Sequence, residues 1–527
     1  MSLPSLPVFS ELGLFSPGGD LWTRLLRNFT RLEEPPYQPP AFFAREREFE
    51  NWPGDMEGRT LLAWILLARA TGRAPRFLDE ALAAWPAELN ARGYFGRDYG
   101  SVISEQQLSS HGWVLQALAE LERWRPGGPA RALALPVIEA LFLPTAGAYA
   151  EYPIDPDARV ATGGHSGTHL KLHGRWLLST DVGCFAIGLA GLVDACVAFG
   201  LRDRLAPLVE EMIARFLAID LEKIEAQTHA TLSACRGLLR WADHVDRPEL
   251  AEAVRQRHAL YTGRAWTETH ANYNWFGRPR WTEPCAIVDS LMVAMELWRR
   301  FGESSFLRDA QLIWFNALAH GQRANGGFGP DTCPACDDSV QLGFSIVEAT
   351  WCCSMRGAEG LSRLAQYQVA TAPDGALLLP FGLPGDFHRG DTRLRVRSAY
   401  PHDARWTFAN LGDHPLRLRL HLPDWVEGIA GRDPAGWLEL ALAPGASRSL
   451  EGTLAERHRP LLDSTQRHRC ARSAPPLPVS TPVVRQRGPL ILADYGGELG
   501  WRPIADDYLR NDMAKASSFK TLIGPAA

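Results

Sequence analysis

Apolar and polar positions along the first two thirds of the chain repeat in one local theme. An apolar stripe of helical period is followed by a short break of Gly, Asp or Pro, and then by a second helical stripe. LLAWILLARATGRAPRFLDEAL, LQALAELERWRPGGPARAL, LVDACVAFGLRDRLAPLVEEM, LLRWADHVDRPELAEAV and MVAMELWRRFGESSFLRDAQLIW all follow it, with breaks near Gly72, Pro126, Gly200, Arg247 and Gly302. Each unit reads as an antiparallel helical hairpin whose apolar faces need neighbours. The spacing is too irregular for a standard solenoid repeat, and the pattern predicts a closed (α/α)6 barrel. From about Tyr367 the period changes to two, in GALLLPFG, TRLRVRSAYP, ARWTFANLG, LRLRLHLPDW, GWLELALAPG and VVRQRGPLILA. This alternation predicts β-sandwich material, with Leu416, Leu418, Leu420 and Leu422 on one face and Arg417, Arg419 and His421 on the other. The Pro/Ser/Arg-rich stretch from Arg457 to Ser480 reads as a long loop or linker. The expectation is therefore an α+β multidomain chain: a barrel over residues 1–366, a β-sandwich region over 367–500 and a C-terminal arm over 501–527.

Composition narrows the function classes. A length of 527 residues with 46% apolar and 22% charged residues fits a folded chain of about two to four domains. Lysine occurs four times, so the positive charge is nearly all arginine, spread without a block, and the net charge is −5. That is no footprint for nucleic acid. The N-terminus lacks a basic segment followed by an apolar run, and Cys184 to Gly200, the most apolar long stretch, is broken by Asp194 and glycines. A cytoplasmic protein with no membrane span is expected, and nothing in the sequence opposes a homo-oligomer. Nine cysteines then read as reduced thiols or metal ligands.

Five of the nine cysteines fall between Tyr261 and Tyr367, more than twice an even share. Two ligand sets compete for a metal. Glu283 and Cys285, being i and i+2, cannot share a helix face and must lie in extended chain before a helix, where both could meet the Cys352-Cys353 pair. Alternatively, Cys333 and Cys336 of CPAC join Cys352 and Cys353 in an all-thiolate set of structural-zinc spacing. Residue chemistry leaves both open. Cys184, Cys196 and Cys235, on apolar helices, read as core.

The order of motifs over residues 50 to 495 resembles the zinc-dependent β-L-arabinofuranosidases, glycoside hydrolase family 127 and its six-hairpin relatives. The family's ETCA, Tyr-Asn and CCP motifs have counterparts in Glu283-Pro284-Cys285-Ala286, Phe315-Asn316 and Cys352-Cys353-Ser354. Gly93-Tyr94, Ser110-His111, Thr228-His229-Ala230, the run to Trp425 and Arg487-Gly488-Pro489-Leu490 are further echoes. The resemblance implies zinc held by Glu283, Cys285, Cys352 and Cys353, with Cys352 as nucleophile. The family's acid/base glutamate lies about sixteen residues before the ETCA glutamate; Glu268, fifteen before Glu283, is the corresponding candidate because Thr267 cannot transfer protons. Hydrolysis of a small terminal sugar such as β-L-arabinofuranose, with retention, follows from that set. The sequence departs from the family pattern at Ser354 and Arg356, which stand where it has Pro and Asn, and in NGGFGPDTCPAC, which replaces an aromatic segment.

Around these motifs, His111 and His229 are expected at helix starts facing a substrate, and His270 beside the acid. Trp275 and Trp351 are candidates for stacking on sugar CH groups. His165, His169 and His173, four apart but among glycines, read as a pocket-lining loop. Two rival classes remain at the sequence level: a sugar isomerase or epimerase on the same toroid, using paired histidines, and a non-catalytic carbohydrate-binding protein tied by zinc.

Overall fold

The structure, a computed structural model, describes residues 6–48, 52–159, 167–509 and 519–526. Its core is a ring of six inner helices, Asp55–Thr71, Glu105–Trp124, Phe185–Phe199, Thr228–Val245, Pro284–Phe301 and Cys353–Tyr367. Each packs on the next and the sixth returns to the first. Outer helices follow five of them as the hairpin pattern demands: Leu78–Glu88, Ala130–Val137, Arg202–Leu217, Pro248–Arg264 and Ser304–Leu312. The sixth pair joins the two ends of the barrel, because Gly19–Arg31 packs on Cys353–Tyr367. Gly72, Gly200 and Gly302 end their helices in the left-handed conformation, which turns the chain back for the next helix.

Glycine also sets how closely the inner helices approach. A methyl group on Gly191 would overlap the Gly112 carbonyl, and one on Gly112 would stand 2.6 Å from the Ile187 oxygen. These helices therefore touch backbone to backbone. This is why the apolar stretch through residues 184–200 contains glycines, and why it is buried almost throughout. No helix among the described residues is long and apolar enough to cross a membrane.

Behind the barrel lie two five-stranded sheets. One runs Val8–Phe9, Ala370–Thr371, Leu377–Leu379, Leu416–His421, Trp437–Leu442; the other runs Ser447–Glu451, Arg405–Asn410, Thr392–Ser398, Gly385–Arg389, Phe15–Pro17. Two strands of the N-terminal region thus belong to the sandwich sheets. Leu416, Leu418, Leu420 and Leu422 are buried as the alternation requires. Arg417 and Arg419 face outward onto Asp374 and Glu439. His421, expected with them, is instead buried beside Trp437 and Gln311.

A further sheet contains Glu456–Pro460, Pro482–Arg487, Leu490–Asp494, Lys520–Thr521 and Gln341–Leu342. The stretch read as a linker is structured: it supplies the strand Glu456–Pro460 and the helix Asp463–Arg472, which packs on Pro248–Arg264. Residues 505–508 pack against the helix Gly19–Arg31. Arg24 donates to the Ala505 carbonyl at 2.5 Å and stacks on Tyr508 at 3.7 Å.

The close helix contact makes a direct prediction. Gly191→Ala should cost about 3 kcal/mol, because two backbones must separate. Gly200→Ala, where space is open but φ is +64°, should cost only about 1 kcal/mol. Denaturant unfolding of both variants checks this, and equal losses would contradict backbone contact at Gly191.

Candidate active site

Two helix starts meet at one end of the barrel. Glu283 is in extended conformation (φ −136°, ψ 113°), with Pro284 and Cys285 opening the helix behind it. The missing N–H of Pro284 suits the first turn, and Asn272 Oδ1 accepts from Glu283 N at 3.0 Å. Cys352 is the residue before the helix Cys353–Tyr367 (φ −150°). The sulfurs of Cys285, Cys352 and Cys353 all lie within 4.8 Å of one another, and those of Cys352 and Cys353 are 3.3 Å apart. Donor atoms of His229, Glu283 and Cys285 form an overlapping group within the same 4.8 Å limit.

The three thiols differ electrostatically. Hydrogen bonds from Cys285 and Cys353 bring Cys352 down to about 6 against the effect of burial, with Arg59 adding in the same direction. Burial pushes Cys285 up and Cys353 well up. Cys352 is also partly exposed, while its two neighbours are buried. Arg59 Nη1 stands 3.5 Å from Cys285 Sγ, and its Nε holds Asp55 Oδ2 at 2.7 Å.

Behind the thiols, the His229 ring stacks on Trp113, with Nδ1 3.5 Å from Glu283 Oε1 and Nε2 3.5 Å from Asp289 Oδ2. The Asp289 carboxylate also takes Arg236 at 2.6 Å, Ser233 at 2.7 Å and the Arg356 guanidinium. Burial raises Glu283 above the usual carboxylate range, opposed by His229, and its Oε2 is buried with no partner. Three gathered sulfurs suit a divalent cation, and the Glu283 carboxylate, grouped with Cys285 and His229, is the neighbouring oxygen donor. The residues present can hold a metal ion. Cys333 and Cys336 are not gathered with them: Cys336 Sγ bonds Tyr273 OH at 3.3 Å, and burial raises Cys336 to about 12 and Cys333 well above the ordinary thiol range.

Several expected roles do not survive the geometry. Glu268 is fully buried and both its oxygens are engaged, Oε2 by Arg459 Nη1 at 2.9 Å and Oε1 by Leu462 N at 2.8 Å. Neither oxygen is left to face a substrate in this arrangement. His111 does not open its helix but lies well inside it, and it spends both ring nitrogens on backbone, at Gln107 O (2.8 Å) and Phe95 N (3.0 Å). No nitrogen remains for a sugar hydroxyl. Trp275 is 1% exposed, packed on Trp281 and under Arg278, so it is core. Trp351, next to Cys352, is 45% exposed. His270 is buried at φ +60° against Trp266, with neither ring nitrogen bonded. His169 and His173 lie on a strand, His169–His173, rather than a loop, and His165 lies outside the described residues.

Sequence reasoning missed Asp55, Arg59, Trp113 and Asp289. Asp289 alone carried a signal, one helical turn after Cys285. Two of the departures from the family pattern, Ser354 and Arg356, have local explanations. Ser354 Oγ donates to Glu348 Oε1 at 2.8 Å and accepts from Phe328 N at 3.0 Å, so it anchors the glycine-rich loop. Arg356 stacks on Trp113 at 4.4 Å and pairs with Asp289 and Glu359. Asn316 links two other motif echoes, donating to Pro489 O at 2.9 Å and accepting from Ile491 N at 2.8 Å.

The Glu268 ion pair predicts a stability effect. Glu268→Gln leaves Arg459 without its counter-charge and should cost about 3 kcal/mol; chemical denaturation measures it, and an unchanged midpoint would contradict the clamp.

No protein-family model and no curated protein matches the sequence. The structure is similar to a GH127 β-arabinofuranosidase, with a TM-score of 0.66 at 11% identity, over 93% of this chain and 85% of that one. It is similar to a GH127 β-L-arabinofuranosidase from Geobacillus stearothermophilus T6, with a TM-score of 0.63 at 13% identity, over 91% and 86% of the two chains. A protein described as a glycoside hydrolase matches with a TM-score of 0.62 at 11% identity, over 93% and 83%. At these identities the likeness establishes a shared fold: the helical-hairpin barrel with β-sheets behind it.

Proposed function

We propose that this chain is a retaining exo-glycoside hydrolase acting on a small terminal sugar such as β-L-arabinofuranose, with Cys352 as its nucleophile. One observation carries the reading: three thiols converge at the N-terminal ends of inner helices beside Glu283, and hydrogen bonds from the other two hold the Cys352 thiol below the ordinary range. A fold shared with β-L-arabinofuranosidases supports the substrate class. Zinc, held by Glu283, Cys285, Cys352 and Cys353, would supply a Lewis acid that keeps thiols deprotonated at neutral pH.

Cys352 Sγ attacks the anomeric carbon as the bond to the leaving oxygen breaks, and that oxygen takes a proton from a carboxylic acid. Water then cleaves the carbon–sulfur bond, its proton returning to the same carboxylate, and the sugar keeps its configuration. His229 orients Glu283 from behind, steadied in turn by Asp289. Trp351 offers its exposed ring to the sugar face. Asp55 is the better proton donor than Glu268: its Oδ2 is fixed by Arg59, which touches Cys285, while its Oδ1 has no partner. An epimerase mechanism is disfavoured, because His111, one of the histidines it would draw on, is saturated by backbone.

Two measurements test this. Elemental analysis should find about one zinc per chain, lost in Cys285→Ser and Cys353→Ser and retained in Cys333→Ser; the reverse pattern would refute the ligand set. Asp55→Asn should slow natural glycosides about a hundredfold or more while sparing nitrophenyl glycosides, whose leaving group needs no proton. Glu268→Gln should affect both substrates alike. If Glu268→Gln instead shows the leaving-group dependence, the proton belongs to Glu268.

A further inference from the structure

The end of the barrel opposite the thiols carries an open cavity of about 700 Å³. Its walls are the C-terminal turns of inner helices, which present Arg69, Arg123, Arg240 and Arg363 to the interior. Helix C-termini attract cations, and this explains why arginines gather here. It does not explain where they point, since none of the four bonds a helix carbonyl among the described residues. Arg69, Arg123 and Arg363 converge on the buried Glu120 at 2.6, 3.0 and 2.5 Å. Arg240 pairs with Asp194, which Arg123 approaches at 3.9 Å.

Four guanidiniums thus share two buried carboxylates. The other acids nearby do not restore the balance. Asp243 and Glu296 are matched by Arg299 and Arg300. Glu11, an exposed residue, also lines the cavity and acts on Arg69, which leaves four guanidiniums facing three carboxylates, and His244 adds no negative charge. Two signs of unmet demand follow. The Nε of Arg363, a residue 8% exposed, is buried without an acceptor. Burial, then the charges of Arg123 and Arg363, bring Arg240 down to about 10.

We propose that this cavity is a binding site for a small multivalent oxyanion, a phosphate ester or a polycarboxylate. Planar guanidinium forks match the paired oxygens of either group. The volume admits a molecule well beyond a single phosphate in size. The site is independent of the thiol chemistry, at the far ends of helices of 15 to 20 residues.

Titration calorimetry of the full chain with inorganic phosphate, and separately with citrate, against sodium chloride at equal ionic strength tests it. Saturable binding of one anion per chain, with a rise in melting temperature, is expected for at least one of them, and which anion saturates distinguishes phosphate from carboxylate chemistry. Arg123→Gln with Arg240→Gln should weaken it tenfold or more, while Cys285→Ser leaves it intact. Should the double variant fail to fold, Arg240→Lys, which keeps charge but loses the fork, should still weaken binding severalfold. Absence of saturation with both anions, or equal binding by the arginine variants, would overturn the proposal.

Discussion

The common direction of the six inner helices is the constraint on which the rest depends. A chain that alternates inner and outer helices returns every inner helix in the same sense, so all their N-termini gather at one end and all their C-termini at the other. The ring is drawn tight where Gly112, Gly188 and Gly191 let backbones touch. The partial positive charge of the N-termini falls on the thiol end and favours anionic sulfur by a few tenths to about 1 kcal/mol per helix end. The opposite end, with its partial negative charge, collects the arginines. One topological fact therefore sorts the chemistry of the molecule into a thiolate pole and a guanidinium pole.

Between the poles, Asp289 ties the active end together. It sits one turn below Cys285 and joins Ser233, Arg236, Arg356 and His229, which belong to two other inner helices. A carboxylate with that many charged and polar donors stays ionised despite burial, and its value is held below the usual range. The His229 ring, stacked on Trp113 and set between Asp289 and Glu283, carries that rigidity to the proposed metal ligands. The site is thus positioned by charge as much as by packing, which is costly to assemble and costly to cut.

How much of this was legible follows from range. The hairpins and their glycine breaks are local features, and local periodicity reads them; of the Glu283-Cys285 pair expected in extended chain, only Glu283 is extended, because the helix already starts at Pro284. The strands Val8–Phe9 and Phe15–Pro17 are too short to alternate, and they pair with residues more than 350 positions away. Residues 456–472 have the composition of a linker, yet become strand and helix because partners in 482–487 and 248–264 cover them. Glu268 has the spacing of a catalytic acid; its partner Arg459, 191 residues later, turns it into an anchor. His111 likewise has the look of a pocket residue until the backbone of Phe95 is folded against it. In each case the side chain's identity was informative and its partner was not.

The cysteine pair shows how two local rules can be replaced together. A proline after the pair would stiffen the backbone by its ring, and an asparagine two positions later would be a neutral anchor. Here Ser354 stiffens the same turn through two hydrogen bonds, to Glu348 and Phe328, and Glu348 is in turn held by Arg31, Tyr37 and Asn325. Arg356 brings a buried positive charge that an asparagine would not, and that charge is tolerable only because Asp289 and Glu359 face it. Arg236 completes the square by pairing with both acids. Each substitution would be harmful without its acid partners, so the corner behind Cys352 and Cys353 is best understood as one ionic and hydrogen-bonded unit. It bears on the thiols from behind, which lets the backing of the sulfurs change while their spacing at the helix starts is kept.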